Sequence, residues 1–302
     1  MISQIQINAW VDEAVKEFWS IMPSADALPP IIKIGSPVTL RRIRTELVEL
    51  TGSKNVNMKE PYTSAMETLH GEKGTAILIN QKVCSNTITE FKHEFWHEMG
   101  HYYSIQFEPP EFASLDGQEL KPDRVRQEGF WMWREFIAES ISCYVQGNGW
   151  EYKEEFKREH HWKDLAWQLK RMLLMVFETY QVTVDEYALA FFFARLLMDA
   201  PTKAFVTDAL NNDLLIWDPR RWAYVPMKPD SIEPTQISTA PAMFHEVLMD
   251  IMDLLEEQLQ KEVFWKTDVE FLDQLGQLIM KMNEIRILAL SGRLTQRNAN
   301  LE

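Results

Sequence analysis

The sequence predicts a mixed α+β protein, with a small twisted sheet and an adjoining helix in the N-terminal part and mostly helices in the C-terminal part. In the first half, segments with the apolar period of a helix alternate with short runs rich in β-branched residues, which are typical of strands. In the second half, apolar residues recur at helical spacings, which predicts helices at residues 151–180, 184–199, 202–211, 242–263 and 268–290. A Gly-Asn-Gly sequence at residues 147–149 separates the halves, which predicts one domain at residues 1–148 and a helical domain at residues 149–302.

The elements of the N-terminal part follow from their patterns in chain order. An apolar stripe on residues 4–22 predicts an amphipathic helix, which a cluster of prolines ends. Residues 31–34 predict a short strand, and residues 39–50 predict a second helix. Two further strand patterns, at residues 66–69 and 75–79, flank a glycine-containing turn, so they predict a hairpin.

The segment after the hairpin contains two overlapping copies of His-Glu-x-x-His, one from His93 to His97 and one from His97 to His101. Thr87 or Thr89 can cap a helix that carries both copies, and Glu90 follows three residues after Thr87. Two histidines four positions apart on a helix differ by roughly 40° of rotation and about 6 Å of rise. Both imidazoles can therefore face one metal ion, while the glutamate between them addresses a water on that ion.

The second copy is the stronger candidate, because uncharged aromatic and small residues surround it, whereas a lysine precedes the first copy. Gly100 lies within the second copy, and glycine in a helix costs up to about 1 kcal/mol relative to alanine. A close approach of another backbone is a physical reason for its presence. We therefore expect His97 and His101 to be metal ligands and Glu98 to be the general base. His93 stays open as an alternative ligand, a cleft residue or an ordinary hydrogen-bonding histidine.

A catalytic zinc site usually has three protein ligands and one open position for water. The apolar pattern of residues 130–145 predicts a helix, and Glu135 and Glu139 are four positions apart on it. Residues at this spacing share one helix face. One carboxylate can then bind the metal while the other orients a ligand histidine through a hydrogen bond.

Over residues 60–145 the chain resembles the gluzincin branch of the zincin metallopeptidases, in which His-Glu-x-x-His is followed by a helix carrying Glu-x-x-x-Asp or a near variant. The resemblance implies that Glu135 is the third zinc ligand and that Glu139 orients a histidine. Arg134 stands where the family often has asparagine, so Glu128 and Glu139 are alternative third ligands. The spelling His-Glu-Met-Gly-His is also similar to small intracellular zincins that cleave phage or mobile-element repressors.

The resemblance implies a zincin-like N-terminal part and a zinc-dependent metallopeptidase that acts on a peptide or protein substrate. Zn²⁺ would activate a water, and Glu98 would take the proton of that water. An extended substrate would pair with a strand near the site, for which residues 75–79 or the partner strand 66–69 are candidates. The candidates for oxyanion stabilisation are Tyr144, His160, His161, Tyr180 and His245.

The alternative function is a catalytically silent, zincin-like binding or regulatory module with a structural zinc site. Such a site is usually closed by a fourth protein ligand, for which His93 is the candidate.

Composition bounds the partners and the compartment. The formal net charge of −14 and the lack of a strong basic cluster argue against nucleic-acid binding. Two cysteines cannot form a disulfide framework, which suits a reducing compartment. The first residues lack a signal-peptide pattern, and the longest apolar run is too short to cross a bilayer. We therefore expect a cytoplasmic protein without membrane or nucleic-acid partners.

Overall fold

The structure is a computed structural model that describes residues 2–23, 28–54, 64–108, 124–146, 186–198, 215–218, 223–226 and 242–290. This part of the chain is mixed α+β, as predicted. Its helices are α1 (Gln4–Ile21), α2 (Leu40–Thr51), α3 (Ile88–Ile105), α4 (Arg124–Gln146), α5 (Glu186–Met198), α6 (Ala242–Leu259) and α7 (Val269–Leu290). Its strands are β1 (Ile31–Gly35), β2 (Met66–Gly71), β3 (Gly74–Asn80), β4 (Leu215–Asp218) and β5 (Ala223–Pro226).

The chain divides into two compact units. The first unit contains Met1–Glu119 and Ile137–Trp150, and the second contains Leu120–Phe136 and Glu151–Glu302. Helix α4 therefore contributes residues to both units. The predicted boundary at residues 147–149 lies outside the described residues.

Strand β3 is the middle strand of the three-stranded sheet in the first unit, whose order is β1-β3-β2. Strand β1 pairs with it in parallel, with Ile31 opposite Ala76, and β2 pairs with it antiparallel, with Met66 opposite Ile79. A strand that is buried on both faces has a continuous apolar run, which explains the sequence of β3. The suggestion that residues 75–79 offer an edge to a substrate is therefore wrong, because both sides of β3 are paired. Its partner β2 lies at an edge of the sheet as far as the described residues extend.

The two faces of this sheet are covered by different helices. On one face, Leu40 and Leu47 of α2 pack with Leu69, Ala76 and Leu78 in a buried cluster. Because side chains alternate along a strand, the neighbours of these strand residues point to the opposite face. Helix α3 lies there, since the Thr68 side chain of β2 contacts it. The sheet thus supports the helix that carries both His-Glu-x-x-His copies.

Helix α1 packs against α3, and main-chain groups of α1 and of the segment after it hold α3. Three aromatic side chains of α3 donate hydrogen bonds to carbonyl oxygens in the preceding N-terminal segment. They are Trp96 Nε1 to Ala14 (3.0 Å), Tyr102 Oη to Leu28 (3.0 Å) and Tyr103 Oη to Pro23 (3.2 Å). The aromatic residues that flank the second copy therefore pack and anchor the helix.

In the second unit, the first half of α4 packs closely against α7. A Cβ added at Gly129 would collide with the carbonyl oxygen of Leu272, so this crossing depends on glycine. Arg126 of α4 forms a two-pronged ion pair with Asp273 of α7, with both N–O distances at 2.7 Å. Trp133 also stacks edge-on against Phe271, with ring centroids 5.0 Å apart.

Helices α5, α6 and α7 lie close to the segments predicted at residues 184–199, 242–263 and 268–290. The predicted helices at residues 151–180 and 202–211 lie outside the described residues. Strands β4 and β5 form an antiparallel hairpin that the mostly helical prediction missed. In the part of the chain that the structure covers, no helix has the length and apolarity needed to cross a membrane.

Candidate metal centre

Helix α3 is capped by Thr87, one of the two residues predicted for this role. The Thr87 hydroxyl accepts a hydrogen bond from the Glu90 main-chain N–H at 3.3 Å and donates one to the Glu90 carboxylate at 2.8 Å. This arrangement satisfies an N–H group that the first helical turn leaves without a partner. It fixes the start of α3, and hence the rotational position of the histidines that follow.

Three of the predicted site residues come together in the structure. His97 and His101 of α3 and Glu135 of α4 each offer one ligand atom, and these atoms all lie within 4.8 Å of one another. Nitrogen and oxygen ligands bind zinc at about 2.0–2.2 Å in a tetrahedral arrangement, which places them roughly 3.5 Å apart. Small side-chain rotations would therefore bring the three atoms to coordination distance. A donor set of two histidines and one glutamate is among those that zinc uses in hydrolases.

The burial of these three residues differs. The His97 side chain is almost fully buried, while His101 and Glu135 are half-buried. A site that is rigid on one side and partly open on the other can hold an ion and also admit a water molecule, as catalytic zinc sites require.

Gly100 explains how α3 and α4 approach closely enough for their side chains to meet. A Cβ added at Gly100 would lie 2.6 Å from the carbonyl oxygen of Ala138 and 2.8 Å from its Cα. Only a hydrogen atom fits in this space. The close backbone approach that we expected from a glycine in the motif is therefore present, and Ala138 lies between Glu135 and Glu139 on the facing helix.

Glu139 lies one helical turn after Glu135 and is fully buried. Its Oε2 is 3.1 Å from Nδ1 of His97, and its Oε1 is 3.0 Å from Nε2 of His93. A carboxylate that accepts a hydrogen bond from Nδ1 of a histidine fixes the ring and leaves Nε2 for a metal. Glu139 therefore contacts His97 in the way that the orienting role requires, whereas Glu135 belongs to the group of potential ligands.

His93 is held by hydrogen bonds on both sides of its ring. Nε2 faces Glu139, and Nδ1 lies 2.7 Å from Oε1 of Gln146 and 3.1 Å from Oγ of Ser142. The Ser142 hydroxyl also donates to the main-chain carbonyl of His93 at 2.9 Å. Of the three roles left open by the sequence, this geometry corresponds to the hydrogen-bonding histidine.

The first two residues of the first copy, His93 and Glu94, thus form hydrogen bonds with other parts of the fold. Glu94 accepts hydrogen bonds from Ser85 Oγ at 2.7 Å and from the Ser85 main-chain N–H at 3.2 Å. Burial raises the pKa of the Glu94 carboxyl above its ordinary value, and these hydrogen bonds oppose the rise. The residues of the second copy are the ones near the group of potential ligands.

Glu98 contacts the edge strand of the sheet. The Thr68 hydroxyl of β2 lies 2.6 Å from Glu98 Oε2 and 3.1 Å from the Glu98 carbonyl oxygen. Thr68 therefore donates to an oxygen of Glu98 from a strand that is thirty residues away in sequence. Sequence reasoning missed Thr68, because the only available signal was that strand alternation places it on one face of β2.

The remaining candidates are one glutamate outside the potential ligand group, one exposed tyrosine and several residues that the structure does not describe. Glu128 pairs with Arg124 on its own helix at 3.3 Å, so it is not in the potential ligand group. Tyr144 is 45% exposed on α4. His160, His161 and Tyr180 lie outside the described residues, as does the side chain of His245.

Among known proteins, no family model, no curated protein and no solved structure matches this chain.

Proposed function

We propose that the protein is a zinc-dependent metallopeptidase of the gluzincin type, with His97, His101 and Glu135 as the zinc ligands. The observation that carries the proposal is the convergence of a helical histidine pair and a downstream glutamate, with ligand atoms within 4.8 Å of one another. The orienting contact from Glu139 to His97 supports it, because such partners usually accompany metal-binding histidines.

The chemistry follows from the neighbours of this group. A zinc ion bound there would lower the pKa of a bound water toward about 7 and polarise the scissile carbonyl. Glu98, next to His97 on α3, would serve as the general base that accepts the proton of such a water and donates it to the leaving amine. Thr68 donates a hydrogen bond to one oxygen of Glu98, which limits the rotation of the carboxylate.

The edge strand β2 is the proposed binding surface for an extended peptide. A peptide can pair with the main chain of an edge strand as an additional strand. Because β2 carries Thr68, a peptide bound along this edge would lie beside the residue that contacts the proposed general base. The proposed substrate is therefore a peptide or an unstructured segment of a protein.

The alternative of a silent module with a structural zinc site requires a fourth protein ligand. The candidate for this ligand, His93, directs its ring nitrogens toward Glu139, Ser142 and Gln146. Within the described residues, the potential ligand group contains three members. These observations favour a site with a position for water, and hence the enzyme.

The test is metal analysis combined with digestion of a peptide library. We expect one zinc per wild-type chain and peptide hydrolysis that a chelator abolishes and added zinc restores. Glu98→Gln should retain zinc and lose about 10²–10⁴-fold in kcat, because general acid–base catalysis contributes that much. His97→Ala should lose the zinc.

The matched control is Glu94→Gln, which makes the same substitution in the first copy of the motif. It should keep both zinc and activity, because Glu94 is bound to Ser85. Full activity of Glu98→Gln would refute the general-base assignment. A folded wild-type protein that takes up zinc without hydrolysing any peptide would instead support the silent module.

A further inference from the structure

We propose that His93 is a positioning residue for the metal centre, which fixes the Glu139 carboxylate so that Glu139 in turn fixes the His97 imidazole. This inference rests on the proposed function, because it assigns His97 as a zinc ligand. In this role His93 acts on the metal centre through two hydrogen bonds, from His93 to Glu139 and from Glu139 to His97, and not by binding the metal or the substrate itself.

The first step of the argument is the environment of Glu139. This side chain is fully buried between α3 and α4, and a buried carboxylate requires hydrogen-bond partners to offset its lost hydration. Oε1 of Glu139 lies 3.0 Å from Nε2 of His93, and its Oε2 lies 3.1 Å from Nδ1 of His97. Because His93 and His97 stand on successive turns of α3 and contact different oxygens, together they hold the plane of the carboxylate.

The second step is that His93 is itself fixed. Its Nδ1 meets Ser142 and Gln146, and both residues stand on α4, the helix that supplies Glu139. Residues 139, 142 and 146 are three and four positions apart, so they form one stripe along that helix. The bond from the Ser142 hydroxyl to the His93 carbonyl fixes the main chain of α3 at the same point.

The third step is the effect on the metal. Hydrogen-bond partners of ligand histidines set ring orientation and ligand basicity, and their loss typically costs 10–100-fold in metal affinity or activity. If His93 is lost, Glu139 keeps His97 as a partner but can turn about its terminal bond. The His97 ring then loses its fixed direction. We expect zinc affinity to fall by about 10-fold, at the lower end of that range.

The test compares two polar substitutions of similar size. The amide of His93→Gln can reach the position of Nε2 and donate to Glu139. The amide of His93→Asn reaches the position of Nδ1, so it keeps the contacts with Ser142 and Gln146 and loses the contact with Glu139 Oε1. Zinc affinity is measured by competition with a chromophoric chelator, and the visible spectrum of the cobalt-substituted protein reports the geometry of the ligands.

We expect His93→Gln to match the wild type in affinity and cobalt spectrum. His93→Asn should bind zinc about 10-fold more weakly, with an altered cobalt spectrum and a lower kcat at an unchanged KM. His70→Leu is the control, because His70 is another half-buried histidine, paired with Thr75 at 2.8 Å in the hairpin. It should leave zinc affinity unchanged even if it lowers thermal stability.

Equal zinc affinity and equal spectra for His93→Asn and the wild type would overturn the proposal, as would an equal loss for the Asn and Gln variants. The proposed function fails separately: a wild-type protein that binds zinc but hydrolyses no peptide refutes the peptidase and leaves the affinity comparison decisive for His93. A wild-type protein that binds no zinc refutes both.

Discussion

At the scale of single residues, the two overlapping copies of the motif make different contacts. His97 belongs to both copies, and its ring contacts Glu139 while it also joins the potential ligand group. His93 and Glu94 of the first copy bind protein partners instead. The sequence offers two overlapping positions for the metal motif. Hydrogen bonds from α4 and from the segment before α3 engage the residues of the first copy, which leaves the second copy near the potential ligand group.

Thr68 leads to a prediction about the proposed general base. Thr68→Val keeps the shape of the side chain and removes the hydroxyl that lies 2.6 Å from Glu98. A hydrogen bond to a charged group contributes about 1.5–3 kcal/mol, so we expect kcat to fall roughly 10–100-fold as the carboxylate loses its orientation. Steady-state kinetics measures this loss, and zinc content should not change.

Two further variants define this result. Thr68→Ser restores the hydroxyl and should recover most of the activity. Thr75→Val removes a hydroxyl that pairs with His70 in the same hairpin, so kcat should stay near that of the wild type. If Thr68→Val retained full kcat, Thr68 would have no role in holding the base.

The sequence predicted the residues of the helical motif because their chemistry depends on spacing within one helix. His97, Glu98 and His101 need no distant contact to be recognised as a potential site. Thr68 could not be found in this way, since its role depends on β2 packing against α3. The different contacts of Glu135 and Glu139 likewise depend on how far α4 is displaced along α3, which the pattern of one helix does not contain.

At the scale of elements, the distance between α3 and α4 is set by main-chain contact at Gly100. We expect Gly100→Ala to force these helices apart, because the added Cβ would lie 2.6 Å from the Ala138 carbonyl oxygen. Overpacking of this kind costs about 1–3 kcal/mol, which exceeds the gain of up to about 1 kcal/mol in helix propensity. Thermal unfolding should show a lower Tm, and zinc titration should show weaker binding. An unchanged Tm with unchanged zinc affinity would mean that the contact is looser than described.

Periodicity predicted helices such as α1 and α2, in which the buried residues recur at helical spacing along one face. The order of the strands was harder to foresee. The parallel pairing of β1 with β3 joins residues that are 45 positions apart, such as Ile31 and Ala76, and no local pattern encodes it. The apolar run in the sequence of β3, whose residues are buried in the structure, was a usable sign of a central strand. The hairpin of β4 and β5 was missed among segments with helical spacings.

At the scale of the whole molecule, acid should weaken the second unit through the Arg126–Asp273 pair. The hydrogen bond from Arg126 lowers the pKa of the Asp273 carboxyl below its ordinary value of 3.8. A carboxyl group with a lowered pKa in the folded state stabilises the fold above its unfolded pKa and loses that contribution as pH falls through the folded pKa. This stabilisation should therefore be complete at neutral pH and disappear below about pH 4.

Asp273→Asn tests this behaviour. Both side chains of the pair are about one-third exposed, so solvent screening limits its contribution to about 0.2–1 kcal/mol. Urea unfolding should show the variant less stable than the wild type by this amount at pH 7, with the difference shrinking toward pH 2. Arg42 and Glu46 form an exposed pair on α2, at 3.7 Å, and Glu46→Gln should show a smaller effect. A constant difference for Asp273→Asn across this pH range would contradict the ion-pair explanation.

Composition led to fewer testable predictions about the whole molecule than the motif led to about the site. Within the described residues, no helix is suited to crossing a membrane, in agreement with the short apolar runs of the sequence. The cytoplasmic location and the lack of a nucleic-acid partner stay predictions from charge and cysteine content. The same holds for the helical segments that lie outside the described residues.

The anchoring of α3 by main-chain oxygens bears on how this protein tolerates sequence change. Every amino acid has a carbonyl oxygen, so the acceptors at Pro23 and Leu28 survive replacement of those residues. The Leu28 side chain is 84% exposed, and Pro23 is exposed as well. Evolution can therefore vary these two positions while their backbone keeps the tyrosines in place. Sequence change at these two positions would leave the anchoring of α3 intact.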